Sequence, residues 1–216
     1  MQNSDDMPAT VAAKPGRGRP RAFDREAALI AATRLFWQKG FAATSISDLT
    51  TAMGISSPSL YAAFGSKEAL YAEALQHYGA SFEKLVWTNF GSAKTLRAAV
   101  EAFLMDSAAA LTGSCNQGDP LGCMVTLSAV GSEGYAELGE TVRQARAVGL
   151  ERVKERVRTA ISKGELSELT DIDGIARFVV AIQSGMSIQA RDGASREELE
   201  AVARQTMSGW DSRTAV

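Results

Sequence analysis

Residues 45–64 read SISDLTTAMGISSPSLYAAF, and two short helices joined by a tight turn account for the stretch. Ile46, Leu49 and Met53 recur at helical spacing on one face, and Gly54 ends the first helix. The second begins near Ser57, a Ser cap followed by Pro58 at the first helical position. Leu60 and Phe64 are its i, i+4 apolar pair, and Gly54-Ile55-Ser56 is the turn. A helix pair of this spacing can lay its second member across the major groove of DNA with its N-terminal end at the bases. Ser56, Ser57 and Ser59 are small donors beside helix-start amides, which attract phosphate. Tyr61 offers a hydroxyl to the DNA backbone, and Lys67 adds a point charge at the start of the next helix.

Upstream, Leu29, Ala32 and Phe36 mark a helix that Asp24 can cap and Gly40 stops. Downstream, Ser66 can cap a fourth helix carrying Leu70, Ala74 and Tyr78. Before Phe23 the chain changes character. Pro8, Pro15, Gly16, Gly18 and Pro20 fall in residues 1–21 with almost no large apolar side chain, so that segment is expected to be a disordered arm. The net charge of −2 hides a local excess, because Lys14, Arg17, Arg19, Arg21 and Arg25 lie close together with Asp24 the one acid among them. Local density governs phosphate neutralisation.

At this point the chain resembles the Tet repressor (TetR/AcrR) family of bacterial regulators. The resemblance rests on Leu35-Phe36-Trp37-Gln38-Lys39-Gly40-Phe41, Ala43-Thr44-Ser45-Ile46, Asp48-Leu49, Gly54-Ile55-Ser56 and the run from Ser59 to Leu70. It covers roughly Phe23 to Tyr78. It implies an all-α fold: a three-helix helix-turn-helix DNA-binding domain over residues 22–68, then a larger helical effector-binding and dimerisation domain over 69–216. By position, Thr44 matches the family's phosphate-binding Thr, and Tyr61 and Lys67 its backbone-clamping Tyr and Lys. Ala62 and Ala63 depart from it, since many members carry larger polar residues there. A methyl can contact thymine but cannot hydrogen-bond a base. Arg17, Arg19 and Arg21 resemble extensions that lie in a narrow minor groove, and a solvated basic tail accounts for them equally well.

The rest also reads as helix. Helical stretches are expected at Thr95–Leu111, Ala136–Lys163, from Asp171 or Asp173, and from Ser195, where Ser195 and Glu198 match a capping box. Gly113 to Gly122 reads as a loop, and Cys123 to Val130 as a shorter apolar stretch. The resemblance implies that the last two long helices pair with their copies in a homodimer. The matching apolar positions are Ile175, Phe178, Val179, Ile182, Met186, Leu199, Val202 and Met207. It also implies a cavity for a small-molecule effector, with Phe82, Phe90, Leu96, Phe103, Met105, Met124, Tyr135 and Phe178 as its expected lining. Ligand in that cavity would shift the fourth helix and lower affinity for operator DNA.

Other classes find little support. Apolar runs such as Ala27 to Ala32 fall far short of a membrane span, and the polar start lacks a secretory pattern, so a cytoplasmic protein is expected. There is no phosphate loop, paired-His zinc motif or nucleophile–base set, so neither enzyme nor cofactor is expected. Cys115 and Cys123 flank the Gly/Asp/Pro loop. Cys123 reads first as a small buried hydrophobe at a helix start and Cys115 as an incidental loop thiol, with a thiol sensor or soft-metal site as the alternative. His77 is expected to decorate a helix end.

Overall fold

The computed structural model describes residues 24–115 and 118–214. Helix α1 spans Arg25–Lys39, α2 Ile46–Met53, α3 Ser57–Phe64 and α4 Lys67–Phe82. A π-helical segment, Glu83–Trp87, carries α4 directly into α5 (Thr88–Ser92). Then follow α6 (Leu96–Leu111), the single turn α7 (Met124–Leu127), α8 (Ala136–Ser162), α9 (Ile172–Arg191), α10 (Arg196–Ser208) and α11 (Trp210–Thr214). Among the described residues there is no strand, and no helix is long and apolar enough to cross a membrane.

Side-chain caps fix where most helices start. Asp24 accepts from the amides of Glu26 and Ala27. Ser45 and Asp48 form a reciprocal capping box, as do Ser195 and Glu198. Asp171 is the cap of α9. The cap of α3 is Ser56, one residue before the expected Ser57: its backbone is extended and its hydroxyl accepts from the Ser59 amide. Pro58 then sits in the first turn, where its missing N–H leaves no internal bond unmade. The apolar stretch after Cys123 makes one turn only, because Ser128 returns to extended backbone. His77 lies inside α4, not at an end, since the helical path runs on through Trp87.

The three N-terminal helices close over Phe36, Phe41, Leu49, Leu60 and Phe64. Tyr71 of α4 joins them, its ring centroid 5.0 Å from Phe36 and 5.1 Å from Phe41, each edge to face. Burying each such side chain contributes about 2 kcal/mol. Downstream, α6 packs on α10, and α8 on α9. Trp37 Nε1 of α1 donates to Gly122 O at 3.0 Å, and Arg34 pairs with Asp119. Both bonds tie α1 to the loop ahead of α7.

Candidate nucleic-acid interface and ligand cavity

Helix α3 buries Leu60 and Phe64 and turns Ser57, Ser59, Tyr61 and Ala62 outward. Tyr61 is 48% exposed, so its hydroxyl stands clear of the protein. Ser56 is also exposed, and its hydroxyl lies 2.9 Å from that of Ser59. Lys67 opens α4 with its ammonium 4.2 Å from the centre of the Phe41 ring. Partial burial lowers its pKa, outweighing the pull of Glu68 and Glu133. The cation is therefore positioned by an aromatic face just after the C-terminal end of α3, a suitable seat for a phosphate contact.

Thr44 is placed otherwise than expected. It is fully buried, and its hydroxyl donates to Gly40 O at 2.6 Å. That bond closes the turn between α1 and α2, and leaves the hydroxyl committed inside the protein. Arg25 is spent as well: its guanidinium pairs with Glu73 at 2.6 Å, reaches Ala63 O and covers the Phe64 ring. It fastens α3 to α1 and α4. Arg17, Arg19 and Arg21 lie outside the described residues.

A cavity of about 630 Å³ lies between α4, the π-helical segment, α6, α8 and α9. Phe82 and Phe103 line it. Met105, Met124, Tyr135 and Phe178 do not. Met105 packs against the core, and Met124 is buried within it. Tyr135 meets Phe41 edge to face at 4.6 Å near the DNA-reading helices. Phe178 faces a separate hollow beside Trp210. Residues that sequence reasoning missed make up most of the wall, among them Tyr78, Trp87, Cys123, Arg152 and Gln183. On α9, Val180, Ser184 and Ile188 repeat every four residues toward it, a stripe that sequence cannot separate from the core stripe beside it.

The charges on the wall are largely spoken for. Arg152 pairs with Glu83 at 2.9 Å and lies 5.3 Å from the Trp87 ring centre. Arg146 donates to the carbonyls of Val125, Thr126 and Ser128. Burial pushes the Tyr78 phenol well above its usual range, so it stays protonated. Cys123 is buried on the wall, whereas Cys115 is exposed, and both are free thiols.

The expected dimer residues divide. Val179, Met186 and Leu199 are fully buried within the single chain, so they belong to its own core. Ile175, Ile182 and Val202 remain partly exposed. The exposed side of α9 adds Ala181 to that set, and α10 adds Ala201.

Known proteins place these features together. Residues 28–74 match the family of bacterial regulatory proteins, tetR family. The transcriptional repressor ComR of Escherichia coli K12 is 34% identical over 204 residues, 94% of this chain and 96% of that one. BdcR of the same organism, also a transcriptional repressor, is 31% identical over 86% of this chain and 88% of its own length. A solved structure of a cysteine-substituted CifR, a TetR family transcriptional regulator complexed with a 26-base-pair operator, superposes with a TM-score of 0.82 at 36% identity. It covers 89% of this chain and all of that one. Helix-turn-helix, helical body and full-length similarity agree: the chain belongs to the TetR family of DNA-binding transcriptional regulators.

Proposed function

We propose that this protein is a homodimeric repressor that holds operator DNA in the cytoplasm and releases it when a small molecule fills the 630 Å³ cavity. Residues 22–68 act as the reading domain and residues 69–216 as the effector and dimer domain. One observation carries this reading: α4 begins with Lys67 beside the reading helix and ends with Tyr78 and Phe82 in the cavity wall. A ligand that repacks the far end of a rigid helix moves the near end too. The ligand must favour one of the two arrangements, since equal affinity for both would shift nothing.

Tyr61, Lys67, Ser57 and Ser59 supply the contacts to DNA, with the basic arm adding charge. The operator-bound CifR structure and the two repressor relatives support DNA as the partner. Dimerisation would set two reading helices about 34 Å apart, one turn of DNA. The test is binding to DNA fragments recovered by a genome-wide footprint of the protein, measured by fluorescence anisotropy across a salt series. Lys67→Ala is expected to weaken binding about fivefold on every sequence and to reduce the salt slope by about one. Unchanged affinity in both Lys67→Ala and Tyr61→Phe would remove the phosphate-clamp assignment. Absence of any site-selective binding would remove the function.

A further inference from the structure

Residues 123–135 touch the cavity at one end and the DNA-reading head at the other. Cys123, Val125 and Thr126 line the cavity. Helix α7 is a single turn, so its last carbonyls have no partner within the helix. Arg146 of α8, exposed on the rim of the same cavity, meets them instead. Its guanidinium donates to Val125 O at 3.0 Å, Thr126 O at 3.1 Å and Ser128 O at 2.6 Å. Ser128 carries the connection onward, its hydroxyl 2.8 Å from that of Tyr71 on α4. Gly131 then lies backbone to backbone on the first turn of α8, where a Cβ on Gly139 would stand 2.5 Å from Gly131 Cα. The segment ends at Tyr135, against the Phe41 ring.

Phe41 is the ring that seats the Lys67 ammonium. The segment supplies one neighbour of that ring directly, Tyr135, and ties down another, Tyr71, through Ser128. Glu133, two residues before Tyr135, is close enough for its charge to act on Lys67. A planar guanidinium with five donors can hold several carbonyls at once, so one side chain fixes the end of the segment that faces the cavity. A molecule entering the cavity meets Val125, Thr126 and Arg146 together, and it shifts the segment if it prefers the released arrangement. We propose that Arg146 is a positioning residue: it latches residues 123–135 between the cavity and the Phe41 seat, so that release of its carbonyl bonds withdraws the Lys67 phosphate contact. This route runs beside α4, and it rests on the cavity and Lys67 having the roles inferred above.

A double-mutant cycle on operator binding tests it without any effector, using fluorescence anisotropy of the full chain across a salt series. Arg146→Met should weaken binding about fivefold, as much as Lys67→Ala, and lower the salt slope by about one. The double variant should bind no more weakly than Lys67→Ala alone, whereas independent losses would multiply to about 25-fold. A merely structural arginine would lower stability and leave the salt slope alone. Arg158→Met removes the same charge from α8, where Arg158 pairs with Glu155 of its own helix, and should keep the wild-type slope. Ser128→Ala cuts the bond to Tyr71 with Arg146 in place. It should lower affinity and slope in the same direction, and it decides the matter if Arg146→Met does not fold.

Multiplying losses in the double variant, a wild-type slope in Arg146→Met or Ser128→Ala, or an equal drop in Arg158→Met would overturn the proposal. The same series separates it from the readings beneath it. Wild-type protein without site-selective binding loses the regulatory function itself. Unchanged affinity in Lys67→Ala removes the clamp, and the latch with it. Site-selective binding with the expected Lys67→Ala loss, but an independent Arg146→Met effect, removes the latch alone.

Discussion

Gly122 stands where three helices meet. Its amide donates to Leu111 O at the end of α6 at 2.8 Å, and its carbonyl accepts from Trp37 of α1. A Cβ there would lie 2.7 Å from Ser187 O of α9 and 2.6 Å from Leu127 Cδ1, on a backbone with φ of +76°. The Leu127 side chain can move aside; the α9 carbonyl cannot. Gly122→Ala should therefore destabilise the protein by about 3 kcal/mol, combining left-handed backbone strain with overpacking. Urea denaturation measures it, and a wild-type midpoint would contradict the packing described here. Asp48 gives a residue-scale dependence on pH. The Ser45 backbone and hydroxyl, then Lys39, hold its carboxyl at about 2, down from 3.8. A depressed carboxylate stabilises the fold fully above the unfolded value and loses that contribution as pH falls through the folded one. Asp48→Asn should thus be less stable than wild type at neutral pH, with the gap closing between about pH 4 and pH 2. Acid titration followed by circular dichroism would show it, and a gap constant down to pH 2 would argue against the capping box as its source. In the sequence, Gly122 was visible only as a loop residue; its role comes from α1, α6 and α9, which are distant along the chain.

Among the elements, α9 connects most of the molecule. Its middle borders the cavity through Val180, Ser184 and Ile188. Its last residue, Arg191, donates to Leu121 O at 2.8 Å, Trp37 O at 2.9 Å and Gln38 O at 3.2 Å. Trp37 and Gln38 lie in the last turn of α1, where carbonyls have no partner within the helix and the dipole favours a cation. Arg191 thus completes the C-terminal end of α1 from another part of the chain, and burial lowers its pKa without threatening its charge. Arg191→Met keeps the apolar stem and deletes these bonds. It should cost about 2 kcal/mol and speed hydrogen exchange in the last turn of α1 more than in its first. Uniform exchange along α1 would refute the capping role. Helix limits were largely legible, because Asp24, Ser45, Ser66, Ser195 and the stop at Gly40 act through local hydrogen bonds. The exception, Ser56 in place of Ser57, arose because two adjacent serines offer the same cap chemistry. Which of two apolar stripes on α9 faces the core was not legible, since both repeat at helical spacing.

For the whole molecule, the proposed dimer would hold two reading heads at a fixed separation, which a single chain cannot provide. The partly exposed side of α9, with Ala181 and Ile182, and that of α10, with Ala201 and Val202, form the surface we assign to the second copy. Ala181→Arg should convert a dimer into a monomer in sedimentation velocity and reduce operator affinity about a hundredfold through lost avidity. A dimer that persists in that variant would move the interface elsewhere. The sequence alone determined the helical class, the helix-turn-helix and the candidate phosphate clamp at Tyr61 and Lys67, because these depend on periodicity, caps and turns a few residues apart. Tertiary structure decided that Thr44 and Arg25 are spent internally, that Val179, Met186 and Leu199 belong to the protomer core, and that Tyr78 and Gln183 border the cavity. Those outcomes depend on which helix faces close against one another. Local spacing fixes a face's composition, but only packing fixes what it meets.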